Sequence, residues 1–433
     1  MALEKVFCEP LNLFFQRHIR IKQDPFYLVH SVCIIKLIEG TKRIQPKTDF
    51  HMFQHLIPYL KNTGSRTSGL LFMINSILFS NFAVRLPEIK SYLGINNAEL
   101  GIALLMSPMG VLIATPFSVL AINRLGTGRI AVFSGVWVCL SVILLAVPEN
   151  FIIFCAAMLF FGLSHGALDI SSNTVVSALE KRDRKVYMSS SHAFWSLGAM
   201  AGAITGGLAA STGITPFSHL VVVSVTCLLI LISHSGYIYR LKDEAEAALK
   251  LIWPGFYLFI LIVIGFFVFL TEGAIAEWNA IFFDEVLESP KKYLGLGYAG
   301  FTASMAFIRL LGDRIFAAWD TRKVMLIAIF TGCTGIFIYS GGYSVALCTI
   351  AMMIAGMGCA LIIPLVFFHA GSSSRVSPSL GIAMVATFGY SGLMAGPPLM
   401  GFISEIFSLR TSFYFLSFCF VIIFVLALTI KKN

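Results

Sequence analysis

The sequence predicts an all-α polytopic membrane protein with twelve transmembrane helices in two pseudo-symmetric six-helix bundles. Three observations carry that prediction. Hydrophobic residues make up 57% of the chain and charged residues 12%, with a mean hydropathy of +0.85, a balance that soluble domains do not show. Apolar segments near the roughly 20 residues needed to cross hydrocarbon recur with short polar breaks. A short basic turn also occurs at the same place in each half of the chain.

Residues 1–65 stand apart from this pattern. Basic residues outnumber acidic ones there, and the longest apolar run, Phe26 to Ile35, is stopped by Lys36 before it reaches spanning length. The segment is neither a three-part signal peptide nor an amphipathic helix. It reads either as a basic arm lying on anionic lipid or as non-native sequence upstream of a start at Met52, which would leave the first span intact. The second reading is favoured.

Spans then follow at 67–86, 98–121, 130–147, 151–178, 189–211 and 217–239, and at 253–276, 293–312, 323–340, 343–368, 379–404 and 410–430. They divide about the charged segment Arg240 to Lys250, which gives a first bundle over 66–240, a cytoplasmic linker over 241–252 and a second bundle over 253–433. One set of loops carries Arg124, Arg129, Lys181, Arg182, Arg184, Lys185, Arg240, Lys242, Lys250, Arg314, Arg322, Lys323, Arg375, Lys431 and Lys432; the opposite set carries only Arg85, Lys90, Lys291, Lys292 and Arg410. The positive-inside rule therefore places both termini in the cytoplasm and the acidic stretch Asp284 to Glu288 outside. Because the basic residues sit in loops, the net charge of +9 is a topology signal and does not point to nucleic acid.

Most of the visible chemistry lies between Gly162 and Gly207. His165, Asp169, Asn173 and Ser177 recur at i, i+4 and form one polar stripe on an apolar helix. An Asp at membrane depth costs about 2.5–3.5 kcal/mol, so the stripe must face a bundle interior or a water-filled cavity. Asn173 and Ser177 read as interhelical hydrogen-bonding groups, while Asp169 with His165 one turn away reads as functional. His192 and Ser196 repeat the spacing on the next helix, beside Trp195. Proton coupling or cavity lining is expected of Asp169, His165 and His192, because carboxylate and imidazole can exchange a proton, and cavity lining also of Asn173 on the same stripe.

Further polar residues fall inside spans. Asn75 lines the cavity or forms a packing hydrogen bond. Glu272 and Glu277 lie near Trp278, where two carboxylates beside an aromatic ring suit a cation, a proton or sugar hydroxyls; Trp278 alone would also fit an interfacial aromatic belt. Arg85 and Glu88 flank Pro87 at a span end, where a long side chain can snorkel. His369 reads as interfacial. The four-residue repeats Gly198, Gly202, Gly206 and Gly392, Gly396 mark close helix packing, either plain or at a moving interface.

Several classes are excluded. No Walker A loop, HExxH or GxSxG occurs, so an enzyme and direct ATP drive are not expected. The nine Cys are scattered singly without CxxC, and neither a metal nor any other cofactor is expected. The expected partners are a small-molecule solute, a proton as coupling ion and the lipid bilayer, with a monomer as the working unit.

The repeated turn is Asn123-Arg124-Leu125-Gly126 with Arg129 in the first half and Gly312-Asp313-Arg314 with Arg322 and Lys323 in the second. Such hairpins suit gating latches between rocking bundles, and Arg309 and Asp313, one turn apart, are placed to pair. Two like halves are the arrangement of alternating access. Over residues 66–430 this organisation resembles the major facilitator superfamily. Phe82 to Lys90, Gly166-Ala167-Leu168-Asp169 with Asn173, Met188 to Gly198, Glu272 to Trp278, and Arg309 to Arg314 resemble its branch of bacterial inner-membrane transporters similar to YbjJ, and more distantly the fucose permeases. Val119 stands where the first hairpin motif usually opens with Gly, and Asn123 where Asp is common. The resemblance implies secondary transport of a sugar or related polar compound across the inner membrane, with proton symport ahead of export. The fifth span lacks the Gly-Pro pattern of the superfamily's drug antiporters. A non-transporting solute sensor is the alternative from another class.

Overall fold

A computed structural model describes residues 56–185, 187–239, 241, 255–372 and 378–430. A short helix, α1 (Leu56–Lys61), precedes α2 (Thr63–Leu93), α3 (Asn97–Leu125), α4 (Thr127–Leu144), α5 (Phe151–Asp183), α6 (Met188–Ser211) and α7 (Pro216–Ile238). The second half contributes α8 (Gly255–Ile281), α9 (Leu296–Ala318), α10 (Thr321–Gly341), α11 (Val345–Gly371), α12 (Pro378–Ile406) and α13 (Leu409–Ala427). Among the described residues twelve helices, α2 to α13, are long and apolar enough to cross a membrane. Helices answer the physical demand, because hydrocarbon offers no partner to an open backbone amide.

Side chains and glycines set where the helices begin and end. Asn62, Asn96, Asn150, Thr215, Asp320, Ser344 and Ser408 each accept a backbone N–H in the first turn of the helix that follows. Gly94 (φ 62°) and Gly126 (φ 93°) close α2 and α3 in backbone conformations that disfavour a Cβ. Capped ends carry the helices past their apolar stretches, so α2 and α5 extend beyond the sequence-derived spans. Residues 56–65, which the sequence groups with the extension, are built into the bundle. Tyr59 is buried, with its hydroxyl 2.8 Å from Ser191 Oγ on α6, and Ser65 Oγ donates to the Tyr59 carbonyl at 2.6 Å. Residues 1–55 and the connection over 242–254 lie outside the described residues.

The two halves pack alike. In the first, α2 lies along α6 and α3 along α5; in the second, α8 lies along α12 and α9 along α11. The glycine repeats belong to these contacts. A Cβ on Gly198 or Gly202 would meet the Met73 or Ile77 carbonyl of α2, and one on Gly392 or Gly396 the Phe266 or Leu270 carbonyl of α8. They seal each half internally, which is the plain-packing reading of these five glycines, while other faces of α6 and α12 meet the opposite half. The spacing shows that a face is small without showing what meets it.

Between the halves, α3 packs on α12, α6 on α9 and α2 on α8. The ends carrying Lys61 and Ala427 define a terminal face, and those carrying Gly94 and Ser408 a distal face. At the distal face a Cβ on Gly295 would run into the Ala203 carbonyl, and one on Gly401 into the Asn97 carbonyl, so backbones touch across the interface. Polar ties surround these contacts. Lys90 pairs with Glu285, Lys291 Nζ lies 3.0 Å from Glu88 Oε1, and Asn97 donates from its backbone to Glu405 (3.1 Å) and from its amide to Ser404 Oγ (2.8 Å). The distal end is closed.

At the terminal face each basic hairpin docks on the last helix of its own half. The Gly128 N–H donates to the Leu241 carbonyl at 3.1 Å, and the Arg129 guanidinium lies 5.7 Å from the centre of the Tyr239 ring, just past α7. Arg322 donates to the Leu428 carbonyl at the end of α13. Asn123 and Arg124 are exposed there, and the side chains of Asp313 and Arg314 lie outside the described residues.

Two outcomes follow from the distal closure. With spin labels at Tyr92→Cys and Phe407→Cys, both exposed at that face, the pair of changes Lys90→Gln and Glu285→Gln should raise the long-distance population by up to about fivefold in electron–electron distance measurements, since an exposed pair contributes roughly 0.2–1 kcal/mol. Gly295→Val should have a larger effect, because backbone contact cannot absorb a branched side chain; overpacking costs about 1–3 kcal/mol. An unchanged distance distribution in Gly295→Val would mean that the contact does not hold the halves together.

Candidate functional site

Helix α2 runs between two groups of polar side chains and touches both. Two turns apart on one of its faces, Phe72 packs at a tilt against His192 of α6 (ring centres 4.9 Å) and Phe79 against His165 of α5 (5.9 Å). Asn75 lies between them, buried, and its Oδ1 has no hydrogen-bond partner. The short small-residue contacts of α6 on α2 bring His192 this close.

The first polar group is the stripe of α5. His165 and Asp169 are half-buried one turn apart, and His165 Nδ1 is without a partner. Asp169 lies within electrostatic reach of Tyr390 on α12, a residue of the other half. Asn173 turns its amide back to the Asp169 carbonyl at 2.9 Å, the local hydrogen bond expected of a packing residue.

The second group joins α6, α8 and α9. Arg309 is half-buried, and its charge acts on Glu272 of α8, on His192 of α6 and on Tyr298 of its own helix. Tyr298 in turn faces Ser80 on α2 and feels both Glu272 and Glu277. Arg309 therefore sits among the interior residues, whereas its spacing to Asp313 suggests a latch. Glu272 Oε1, Glu277 Oε2 and Trp278 Nε1 have no hydrogen-bond partner among the described residues. Trp278 is wholly buried, which overturns the aromatic-belt reading: belt residues hold their polar edge at the lipid–water boundary. Its neighbour Asn279 donates to the Tyr339 hydroxyl at 3.2 Å.

An unsatisfied buried polar atom costs about 1–3 kcal/mol, and native structures hold few without a reason. Here Asn75, His165, Glu272, Glu277 and Trp278 share that condition. Acid, imidazole, amide and guanidinium in one interior can accept and donate hydrogen bonds to a polar solute and can exchange a proton.

Arg85 shows the opposite condition. It is fully buried, not snorkelled, and every part of its guanidinium is used: Nε donates to His219 Nδ1 (3.1 Å), Nη1 to Glu88 Oε2 (2.7 Å) and Nη2 to the Ile214 carbonyl (2.8 Å). His369 is likewise buried, 3.3 Å from the Tyr257 hydroxyl, which corrects its interfacial placement. Sequence reasoning missed Tyr298, Tyr390 and His219. The tyrosines stand in apolar, glycine-rich stretches with no ionisable neighbour, and only the demand of Arg85 for acceptors points toward His219.

Comparison with known proteins gives the same architecture. Residues 69–374 match the sequence profile of the Major Facilitator Superfamily. The uncharacterised transporter y4wD of Sinorhizobium fredii is 29% identical over 83% of this chain and 96% of its own length. An uncharacterised MFS-type transporter of Yersinia pestis is 28% identical over 80% of this chain and 90% of its own, and the membrane protein MosC of Rhizobium meliloti 27% over 80% and 84%. Among solved structures, a mutant of the nucleoside transporter NupG superposes with a TM-score of 0.70 at 11% identity, over 84% of this chain and 99% of that one. A bacterial homologue of the lysosomal transporter Spinster, in an inward-facing and occupied conformation, gives 0.70 at 12% identity over 90% and 97%. By the match of its sequence and the course of its helices, the chain belongs to the Major Facilitator Superfamily and is a multi-pass membrane transporter, not an enzyme.

Proposed function

We propose that the protein carries a small polar solute by proton-coupled secondary transport, with symport as the direction of coupling and a sugar or related organic compound as the solute class. The observation that carries this reading is the set of unpartnered polar atoms on Asn75, His165, Glu272, Glu277 and Trp278, contributed by both halves. A solute with several hydroxyls would supply the missing partners. The resemblance of its short motifs to the YbjJ-like branch, and more distantly to fucose permeases, is the reason for preferring a sugar.

Asp169 is the preferred proton carrier. On the stripe of α5 it lies one turn from His165, and among the described residues it has no Arg or Lys held against it as Glu88 has Arg85. Proton binding would remove a charge that resists burial when the interior changes sides. The closed distal face, taken with the positive-inside rule, supports a state open toward the cytoplasm. In that scheme the bundles over 66–240 and 253–433 rock about the interior, and breakage of the distal ion pairs accompanies the opposite opening.

The test is solute-triggered proton movement in proteoliposomes, using a panel of sugars and organic acids with wild type and Asp169→Asn. Wild type should alkalinise the outside when its substrate is added, with uptake rising as external pH falls, because the carrier must be protonated to load. Asp169→Asn should lose proton movement and at least tenfold of concentrative uptake while keeping exchange of solute across the membrane. Uptake without proton movement in wild type, unchanged in the variant, would make the protein a uniporter.

A further inference from the structure

A cavity of about 810 Å³ lies away from these polar residues. It is a groove on the other side of α5, between α3 and α4, walled by Ile113, Phe117, Phe133, Trp137, Leu163 and Ala167. Its volume is that of a small-ligand site, roughly 300–1,000 Å³. Phe117 and Phe133 on its rim are 67% and 63% exposed, so in a bilayer the groove opens sideways to lipid. Arg129 stands at its terminal end, exposed, with its guanidinium against the Tyr239 ring and no carboxylate partner among the described residues. Ser134 also lines the groove. It is 1% exposed and its hydroxyl is unpartnered, five residues or about 7.5 Å of helix rise deeper than Arg129.

We infer that this groove binds an anionic phospholipid, with one acyl chain along the aromatic walls, the headgroup phosphate on Arg129 and the Ser134 hydroxyl donating to a glycerol ester carbonyl. The charge pattern selects this occupant. Basic pockets between helices at the cytoplasmic side of a membrane hold acidic headgroups, and the lining offers no Asp or Glu to receive the ammonium of a zwitterionic one. The apolar walls give a polar solute nothing to bond with. Phospholipid reaches the groove from the bilayer without passing through the interior. Since Leu163 and Ala167 sit on α5 beside His165 and Asp169, a seated chain would also brace the helix that carries the polar stripe.

The full-length protein, delipidated and then titrated with dioleoyl phosphatidylglycerol or dioleoyl phosphatidylethanolamine, is measured by native mass spectrometry. Wild type should retain phosphatidylglycerol preferentially. Arg129→Gln should lose about fivefold in that affinity, the worth of one basic residue at a membrane surface, and Ala167→Phe, which fills the groove, should lose the preference altogether. Quenching of Trp137 by phosphatidylglycerol with brominated chains, read as the difference between wild type and Trp137→Phe, locates the chain and does not depend on the folding of Ala167→Phe. Equal retention of the two lipids by wild type would overturn the inference. So would unchanged phosphatidylglycerol affinity in Arg129→Gln, absence of quenching at Trp137, or a dimer in place of a lipid adduct that disappears in Ala167→Phe.

Discussion

Inside a bilayer a polar group finds its partner in the protein or goes without, and that constraint orders the rest of this molecule. The backbone meets it by forming helices, with Asn, Asp, Ser and Thr side chains closing the first turns where amides would otherwise be open. Side chains meet it in two ways. Arg85 spends its whole guanidinium on His219, Glu88 and the Ile214 carbonyl and is thereby fixed. Asn75, His165, Glu272, Glu277 and Trp278 keep atoms buried and unanswered. Buried polar atoms thus separate into those of a structural residue and those with hydrogen-bonding capacity left over, and burial alone does not make that distinction.

The same contrast separates what is rigid from what can part. Within each half, glycines bring α6 onto α2 and α12 onto α8 at backbone distance. Such packing is lost only by unfolding the half. Between the halves, closure also uses close backbone contact at Gly295 and Gly401, but around it stand ion pairs that include Lys291, itself largely exposed. Partly solvated pairs contribute little each and exchange readily for water. Strong seams inside the halves and exchangeable ties at the distal rim are what rigid-body motion of two bundles needs.

Much of this was legible in the sequence because it depends on one helix at a time. Length and hydropathy mark α2 to α13, and i, i+4 spacing sets His165, Asp169 and Asn173 on one face. What depends on two helices was not legible. The spacing of Gly198, Gly202 and Gly206 reveals a smooth face without revealing that α2 covers it. Proximity in sequence pairs Arg309 with Asp313, while the fold brings it within reach of Glu272 and His192 from other helices. Position near a span end suggests the interface for Arg85, Trp278 and His369, yet all three are buried. A span end belongs to the interface only on the side of the helix that faces lipid.

In the proposed cycle these levels meet at α2. Its Phe72 touches one polar group and its Phe79 the other, with Asn75 between them in sequence, its neighbour α6 carries His192, and its distal end holds Arg85, Glu88 and Lys90. Glu88 is shared: it accepts from Arg85 within the first half and from Lys291 across the interface. A shift of α2 that accommodates a solute beside Asn75 would therefore be felt where Glu88 and Lys90 tie the halves. The ion pairs of the distal rim oppose that shift only weakly, whereas moving Asp169 as a bare charge through the change of state would oppose it by several times as much. That inequality is the physical reason for assigning the proton to Asp169: its neutralisation removes the larger of the two barriers and leaves the distal ties as the smaller one.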